Sequence, residues 1–454
     1  MSPALDAPGA RLGSRVLVAG TSSGVGKTTL AVGLMAAFAA AGQRVGAAKV
    51  GPDFIDPGYH ALAAGVASRS LDLVLSGPDV VRAQAAAAGR DRDLLVIEGV
   101  MGLFDGAGEP PVDGSTAQVA RVLEAPVILV VDASAMSGSV AALVQGFAGF
   151  DPQCRVAGVI LNRVGSAGHE TLLREALAPL GVPVLGALAR DDALTWRERH
   201  LGLVPVVEDP AGVRAAIVRL GARVAASVDL AAVAALAASA PPTPVAPVPV
   251  PARGAPARIA VATGPAFSFV YPENLEALEL AGAELAAFDP LADEALPPGC
   301  GALYAGGGFP EVYAAGLAAN APLRADLAAR AAGGLVVWAE CGGYLWLAET
   351  LEGQPMAGVL PGRHGAMTDR LTLGYRVATT RAPSPLGPAG LVLRGHEFHR
   401  TLVTPPGDGL EMASRFGQSV AGEVSPRLLA SYLHVHLAAT PGLAERFVRA
   451  AAGA

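Results

Sequence analysis

Short runs of apolar residues alternate with longer helical segments through the first 240 residues. Five apolar runs predict buried strands, at residues 16–19, 44–50, 94–97, 127–131 and 156–161. The segments between them, including 28–41 and 137–147, have the length and composition of helices. This alternation is typical of a parallel β-sheet with helices on both faces. Such a sheet binds its ligands at the carboxyl ends of its strands.

The alternation stops in an alanine-rich helix at 228–240 and resumes after a proline-rich run. Residues 241–258 read PPTPVAPVPVPARGAPAR, an extended and semi-rigid composition that predicts a linker. The same kinds of segment then return, with strands predicted at 258–262, 302–304 and 335–339 and helices at 274–281, 322–332 and 342–349. We therefore expect two α/β domains, at 1–237 and 257–454, joined by a linker at 238–256.

Composition narrows the class of protein. The longest apolar stretches, such as 125–131, are much shorter than the roughly 20 residues of a membrane helix. The N-terminus has no basic start followed by an apolar segment, so we expect no signal peptide. Three cysteines in 454 residues do not make a disulfide framework, which favours a reducing cytoplasm. A net charge of −7 argues against non-specific binding to nucleic acid.

The first predicted strand runs into a loop of small residues and then into a helix. Residues 20–29 read GTSSGVGKTT, which predicts a phosphate-binding loop. Loop N–H groups and the helix start would face the anion, with a lysine charge and a threonine hydroxyl for Mg²⁺ beside it. The predicted nucleotide-binding residues of this loop are Gly24, Gly26, Lys27, Thr28 and Thr29.

Lysine is rare in this chain, since Lys27 and Lys49 are the two lysines among 33 basic residues. A coding bias towards arginine would leave lysine where a compact ammonium is required. Lys49 opens the segment KVGPDFIDPGYH after the second predicted strand, at the sheet edge of the phosphate loop. Lys49 is therefore a candidate to hold a transferring phosphoryl group or a substrate carboxylate, and Asp53 and Asp56 are candidates to bind Mg²⁺ or an amine. His60 is interpreted as a packing residue.

Two further strands end in polar residues at this edge. Glu98 follows the run 94–97 directly, the position at which phosphate-loop proteins hold Mg²⁺. Asp105, seven residues later, is a second candidate ligand for the same ion. Asn162 follows the run 156–161 and either hydrogen-bonds a purine edge or is an ordinary turn residue.

The second domain contains a cysteine between a strand and a helix. Residues 335–346 read LVVWAECGGYLW, which predicts a nucleophile elbow at Cys341 with its sulfur exposed and its pKa lowered by the helix start. The segment SYLHVH supplies His434 and His436 as candidate bases. The glycines at 306–308 could offer N–H groups to an oxyanion. A metal site is a weaker alternative, because its residues lack a closed set of ligand spacings; they are His396, Glu397 and His399.

Together these segments resemble a known family. GTSSGVGKTT, with Thr21 at the usual first glycine, resembles the phosphate loop of dethiobiotin synthetases. KVGPDFIDPGYH, IEGVMGLFDG, FSFVYPENLEAL, YAGGGFPE, AECGGYLWL, GHEFHR and SYLHVH resemble cobyrinic acid or hydrogenobyrinic acid a,c-diamide synthases over nearly the whole chain. The resemblance implies two doubly wound α/β domains: a P-loop, dethiobiotin synthetase-like parallel sheet and a flavodoxin-like class I glutamine amidotransferase domain.

The resemblance also implies a reaction. ATP would phosphorylate the a- and c-acetate carboxylates of a corrin, with Mg²⁺ at the phosphates, and ammonia from glutamine would attack the acyl phosphate. The resemblance implies that Lys27 and Thr28 hold the nucleotide and Mg²⁺, with Glu98 as a further ligand. It places Lys49, Asp53 and Asp105 around the activated carboxylate and the metal, and it assigns glutamine hydrolysis to Cys341 and His434. Class I amidotransferases carry Glu where this chain has His436, so the resemblance implies a Cys–His dyad, and the choice of histidine rests on alignment.

Several alternatives remain open at this point. The chain could be a cobyric acid synthase or a nickel-sirohydrochlorin a,c-diamide synthase. From other classes, it could be a phosphate-loop switch ATPase with an inactive amidotransferase-like module, or a nucleotide-regulated cysteine hydrolase. The expected partners are hydrogenobyrinic or cobyrinic acid, L-glutamine and ATP. The sequence leaves open the cobalt content of the corrin, the order of the two amidations, the ammonia path and the oligomeric state, with a homodimer as one option.

Overall fold

The computed structural model describes residues 10–106, 113–191, 198–199 and 202–453. The chain divides into two compact units between Val248 and Pro249. In the described ranges, none of the helices has the length and apolarity that crossing a bilayer requires.

The N-terminal unit is built on a seven-stranded parallel sheet in the order β3-β2-β4-β1-β5-β6-β7. Its strands are β1 Arg15–Gly20, β2 Val45–Val50, β3 Arg69–Leu71, β4 Leu94–Glu98, β5 Val127–Asp132, β6 Val156–Val164 and β7 Val184–Ala189. A short antiparallel pair follows, with β8 at Glu198–Arg199 and β9 at Gly202–Leu203. The central strands are buried along their length, as expected for a sheet covered on both faces. All five strands predicted for this domain are confirmed within one residue at their starts, whereas β3 and β7 were not predicted.

Eight helices are described in this unit: α1 Lys27–Ala40, α2 Asp56–Ala64, α3 Leu73–Gly89, α4 Thr116–Leu123, α5 Ser139–Phe150, α6 Ala167–Leu177, α7 Pro210–Ser227 and α8 Leu230–Ala238. Many begin after a residue whose side-chain oxygen accepts a hydrogen bond from the first turn. These capping residues are Asp72, Ser115, Ser166, Asp209 and Asp229. The neighbouring strands β2, β4 and β1 are parallel, so their carboxyl ends lie at the same edge of the sheet. The phosphate loop follows β1 at this edge.

Arg15 at the start of β1 ties this unit to the start of the proline-rich run. Its guanidinium is buried and donates to the carbonyl oxygens of Leu123 at 2.6 Å, Gly13 at 2.8 Å and Pro241 at 2.8 Å. The N–H of Leu12 donates to Thr243 O at 2.9 Å. Residues 241–243 therefore pack on the N-terminal unit, although they fall in the predicted linker.

The C-terminal unit contains a second, mostly parallel sheet in the order β11-β10-β12-β13-β21-β20. Its strands are β10 Ala257–Ala262, β11 Ala283–Phe288, β12 Ala302–Ala305, β13 Val336–Glu340, β20 Glu423–Ser425 and β21 Leu428–Ser431. The helices are α9 Pro272–Leu280, α10 Ala314–Ala319, α11 Ala321–Ala332, α12 Gly342–Leu347 and α13 Leu443–Ala451. The three strands predicted here are confirmed; β12 ends one residue later than predicted, and β13 begins and ends one residue later.

A second sheet in this unit is largely antiparallel and was not predicted. Its strands are β14 Ala348–Leu351, β15 Gln354–Pro355, β16 Leu360–Thr380, β17 Val392–Thr404, β18 Leu410–Ser414, β19 Gly417–Ala421 and β22 His434–Val435. Much of β16 is exposed, so it has no continuous apolar run to mark it in the sequence. The short β22 pairs with β17, and this pairing places His434 opposite His396.

Candidate active sites

The phosphate loop connects β1 to α1. Gly24 and Gly26 have φ values of 78° and 98°, in the left-handed region that glycine adopts without strain. A Cβ atom at Gly26 would lie 2.2 Å from Asn162 Nδ2. Position 26 therefore requires glycine both for its backbone conformation and for this close approach.

Lys27 lies over its own loop, where its Nζ donates to Ser22 O at 2.9 Å. Burial and the neighbouring Lys49 lower the pKa of Lys27 to about 8, although Glu98 and other acids oppose this shift. Since negative charge favours the ammonium form, a phosphate in the loop would keep Lys27 protonated.

Lys49 lies at the centre of a buried polar cluster. Its Nζ lies 2.5 Å from Asp56 Oδ2, 2.7 Å from Glu98 Oε1 and 3.2 Å from Gly99 O. Burial alone would lower the pKa of Lys49, but Asp56 and Glu98 raise it above the ordinary value. The Thr28 hydroxyl donates to Glu98 Oε1 at 2.7 Å. The structure thus brings Thr28, Lys49 and Glu98 together beside the phosphate loop, with Asp56.

Glu98 is completely buried and is held from its other side by His60. His60 Nε2 lies 2.5 Å from Glu98 Oε2, and His60 Nδ1 lies 3.1 Å from Ser68 Oγ. Burial would raise the pKa of Glu98, but Lys49 and His60 bring it below the ordinary value. His60 is therefore part of the cluster and does more than pack. The signal in the sequence was its spacing of four from Asp56, which puts both side chains on one face of α2.

Of the two acids that contact Lys49, Asp56 is the one whose surroundings disfavour the ionised form. Burial, Asp53 and Glu98 raise the pKa of Asp56 to about 8, against the opposing effect of Lys49. Asp53 itself caps the turn into α2, because its Oδ1 accepts hydrogen bonds from the N–H groups of Ile55 at 2.8 Å and Asp56 at 2.9 Å. Its predicted catalytic role remains a prediction.

Two other predicted residues have their described contacts within the loops. Asp105 is exposed and its Oδ2 accepts from the N–H of Gly102 at 2.9 Å, so its described contact is not with Thr28 or Glu98. Asn162 Nδ2 donates to Val25 O at 2.9 Å, and Arg163 donates to Gly24 O at 2.9 Å. Asn162 thus holds the phosphate loop from behind, and contact with a purine edge remains a prediction.

Cys341 forms a strained turn between β13 and α12. It has φ 48° and ψ −101°, a conformation that L-residues rarely adopt, and its N–H donates to Ser431 O at 2.8 Å. The expected nucleophile elbow is therefore present. The expected exposed sulfur of low pKa is wrong: Cys341 is buried, and burial together with Glu311 raises the thiol pKa, against the lowering effect of the Gly342 N–H. The six residues of α12 do not outweigh that burial.

The glycines at 306–308 lie directly against the elbow. The N–H of Gly307 donates to Phe269 O at 3.0 Å and is therefore already used. A Cβ at Gly342 would lie 3.0 Å from Gly308 N, so glycine at position 342 permits this approach. The N–H of Gly308 therefore lies beside the elbow and is a candidate to face an oxyanion.

The structure separates the two candidate histidines. A Cβ at Gly307 would lie 3.1 Å from His434 Nε2, so the His434 ring contacts the glycine segment at the elbow. Its Nδ1 lies 3.6 Å from Glu340 Oε2. The His436 ring instead packs against Tyr271, with ring centroids 5.0 Å apart. These contacts favour His434 as the base.

Asn274 is a functional candidate that sequence reasoning missed. It is fully buried, its Nδ2 donates to Val435 O at 2.7 Å, and its Oδ1 accepts from Leu437 N at 2.7 Å. It therefore fixes the backbone on both sides of His436. Its place in the segment PENLEAL was the available signal, but its partners lie about 160 residues away and could not be identified from spacing.

The alternative metal site in the second domain is not supported. Glu397 Oε2 pairs with Arg376 at 2.8 Å, and His399 Nδ1 donates to Thr401 O at 2.8 Å. No group of three His, Cys, Asp or Glu side chains within the described ranges is arranged to hold a metal ion.

Comparison with known proteins identifies the family of each domain. Residues 16–204 match the CobQ/CobB/MinD/ParA nucleotide binding domain family, and residues 258–442 match the CobB/CobQ-like glutamine amidotransferase domain family. Hydrogenobyrinate a,c-diamide synthase of Streptomyces coelicolor is 48% identical and covers 96% of both chains. The Mycobacterium bovis protein of the same name is 50% identical over 97% of this chain and 98% of its own. Cobyrinate a,c-diamide synthase of Syntrophotalea carbinolica is 43% identical over 96% of this chain and 98% of its own. With a phosphate loop beside a buried lysine–carboxylate cluster in one unit and a cysteine elbow in the other, the chain belongs to the family of hydrogenobyrinate and cobyrinate a,c-diamide synthases.

Proposed function

We propose that this protein uses ATP and glutamine to amidate the a- and c-acetate carboxylates of hydrogenobyrinic acid in cobalamin biosynthesis. The observation that carries this proposal is the presence, in one chain, of the Lys49 cluster beside a phosphate loop and of the Cys341 elbow. Relatives named for hydrogenobyrinate are 46 to 50% identical to this chain, whereas those named for cobyrinate are 40 to 43% identical. This difference favours the acid without cobalt. The need for ATP and glutamine places the reaction in the cytoplasm.

In the N-terminal unit, phosphorylation prepares a carboxylate for amidation. A carboxylate is a poor electrophile, and transfer of the ATP γ-phosphoryl group to its oxygen turns that oxygen into a leaving group. Lys27 binds the phosphates from the loop, and Lys49 offsets the charge that accumulates as two anions approach. Asp53 holds the start of α2, which carries Asp56 towards Lys49. Ammonia then attacks the acyl carbon and releases phosphate.

The residues beside the phosphate loop fit Mg²⁺. Thr28 Oγ1 and Glu98 Oε1 are hard oxygen donors 2.7 Å apart. Mg²⁺ in phosphoryl-transfer sites takes one or two protein oxygens and completes its shell with phosphate oxygens and water. Thr28 and Glu98 would hold the ion, with Asp105 as a further candidate, and the ion would supply charge neutralisation at the phosphates.

In the C-terminal unit, glutamine is hydrolysed to provide the ammonia. His434 takes the proton of the Cys341 thiol as sulfur attacks the amide carbon, and it gives that proton to the departing ammonia. The N–H groups of Gly308 and Gly342 face the oxyanion. Water then releases glutamate from the thioester. Ammonia formed inside the protein escapes the protonation that makes it a weak nucleophile in neutral water.

The substrate is tested by incubating the protein with ATP, Mg²⁺, glutamine and each of the two corrin acids. We expect the mass of hydrogenobyrinic acid to change by two amide substitutions, with faster turnover than for cobyrinic acid. ATP hydrolysis without any amidated product from either acid would contradict the proposal and favour a switch ATPase.

A further inference from the structure

We propose that Glu340, the residue before the nucleophile, orients His434 and is the third member of the glutaminase site. This inference rests on the glutaminase function proposed above. Class I amidotransferases place their orienting Glu two residues after the histidine, where this chain has His436. An imidazole in that place cannot supply a fixed negative charge. Glu340 is a positioning residue, since it acts through His434.

The carboxylate of Glu340 faces His434 inside the protein. Glu340 ends β13, and both Glu340 and His434 are 1% exposed. Glu340 Oε2 lies 3.6 Å from His434 Nδ1, which is ion-pair distance and slightly beyond a hydrogen bond. Catalytic hydrogen bonds are often long in ligand-free structures and shorten when substrate binds.

Two donors hold the carboxylate in this orientation. Glu340 Oε1 accepts from the N–H of Val435, the residue after His434, at 2.9 Å. Glu340 Oε2 accepts from the Tyr304 hydroxyl at 3.3 Å. Burial and Glu340 raise the pKa of Tyr304 well above its ordinary value, so this hydroxyl stays a donor. Asn274 Nδ2 lies 3.4 Å from the Tyr304 hydroxyl oxygen and extends the network.

This arrangement selects one tautomer of His434. A carboxylate facing Nδ1 favours a proton on Nδ1, which leaves Nε2 as the acceptor. Nε2 belongs to the edge of the ring that faces Gly307 at the elbow, where a Cβ at position 307 would lie 2.4 Å from Cε1 and 3.1 Å from Nε2. Glu340 therefore points the basic nitrogen towards the nucleophile and stabilises the imidazolium that forms when His434 takes a proton. Because Glu340 and Cys341 are neighbours at the end of one strand, both are fixed by the same backbone.

The other groups around His434 do not offer this charge. Its described titratable neighbours are Glu340, His396, Glu397 and His399. Burial lowers the pKa of His396 well below its ordinary value and that of His399 to about 4, so both rings are neutral at pH 7. Glu397 pairs with Arg376 at 2.8 Å, so its charge is balanced by that guanidinium.

The test is Glu340→Gln in the full chain, assayed as glutaminase across pH and as synthetase with an ammonium salt. The Gln oxygen can still accept from Val435 N–H, but the charge is lost. We expect the glutaminase kcat to fall about 100-fold with little change in KM for glutamine. The acid limb of the kcat/KM profile should move to lower pH, because the imidazolium loses its negative neighbour. Synthesis from ammonium should stay at the wild-type rate.

Glu352→Gln is the matched control, because Glu352 is an exposed carboxylate that also accepts a backbone hydrogen bond, from Met367 N at 2.6 Å. This control variant should leave the glutaminase kcat and the acid limb of the kcat/KM profile unchanged. Glu340→Gln with a wild-type rate, or with a lower rate and an unmoved acid limb, would overturn the proposal in favour of a purely structural role.

If Glu340→Gln does not fold, Glu340→Asp decides: activity within tenfold of wild type supports the proposal, and activity as low as in His434→Ala overturns it. A wild-type protein without glutaminase activity would instead overturn the proposed function.

Discussion

At the scale of single residues, the N-terminal site depends on one buried ammonium among acids. Lys49 compensates Asp56 and Glu98, while Thr28 and His60 hold the same glutamate from two other directions. Such a cluster is stable only when every charge has its partner. It also places a positive charge beside the phosphate loop, where we propose that phosphate and carboxylate approach each other. The rarity of lysine singled out Lys49 in the sequence, and Asp56 and Glu98 were named there as candidate ligands, whereas the contacts between these residues follow from the fold.

Lys49→Ala should therefore reduce both stability and activity. Buried Glu98 loses its ammonium partner and Asp56 loses a hydrogen-bond donor, so we expect the free energy of unfolding of the N-terminal unit to fall by about 3 kcal/mol. Urea unfolding measures this change. Lys27→Ala is the matched control, because the described partner of Lys27 is a loop carbonyl, and we expect a loss of at most about 1.5 kcal/mol. Both variants should lose ATP-dependent synthesis. Equal urea midpoints for Lys49→Ala and the wild type would contradict this account.

The raised pKa of Cys341 has a consequence for its reactivity. Burial, Glu311, Glu340 and Glu397 favour the thiol over the thiolate, against the Gly342 N–H. Because alkylation needs the thiolate, labelling of Cys341 by iodoacetamide in the free protein should be slow near neutral pH and still rise above pH 9 or so. Peptide mass spectrometry separates Cys341 from Cys154 and Cys300. Fast labelling that does not change between about pH 6 and 8 would indicate a preformed thiolate and contradict the prediction.

At the scale of elements, short segments are held by buried side chains from distant parts of the chain. Arg15 joins β1 to residues 241–243, and Asn274 holds the backbone around His436. The apolar runs of the parallel strands were visible in the sequence, because both faces of those strands are covered. The antiparallel strands β16 and β17 expose one face in part and gave no such run. The contacts of Arg15, Asn274 and Glu340 join residues far apart in sequence, so spacing could not reveal them.

Arg15→Ala should loosen the start of β1 from the proline-rich run. Three carbonyl oxygens, of which that of Leu123 accepts in a buried hydrogen bond, lose a charged donor, and we expect a loss of about 2 kcal/mol in the free energy of unfolding. Arg11→Ala is the matched control, since Arg11 is exposed and reaches Pro242 O only at 3.4 Å. Thermal unfolding of both variants checks the difference. The same melting temperature for the two variants would contradict the anchoring role of Arg15.

Asn274→Ala should affect glutamine hydrolysis selectively. The buried Val435 O and Leu437 N lose the partner that fixes the chain after His434. We expect glutaminase activity to fall at least about tenfold, because His434 is no longer held at the elbow. Synthesis from added ammonium should persist. A variant that hydrolyses glutamine at the wild-type rate would show that Asn274 does not position this segment.

At the scale of the whole molecule, one chain carries two units whose proposed reactions depend on each other. In the function proposed above, the N-terminal unit activates a carboxylate, and the C-terminal unit supplies the ammonia that attacks it. The phosphate loop, the Lys49 segment and the cysteine elbow were predicted from the sequence, since each is a compact motif with its own spacing. The roles of His60, Asn274 and Glu340 were not, because they depend on contacts with residues far away in the sequence.

The division of labour between the two units is tested most directly by the Cys341→Ala variant, with product mass measured for glutamine and for an ammonium salt as nitrogen source. The account predicts that this variant makes no diamide from glutamine but makes it from ammonium at the wild-type rate. Loss of synthesis from both nitrogen sources in the folded variant, or undiminished synthesis from glutamine, would contradict it.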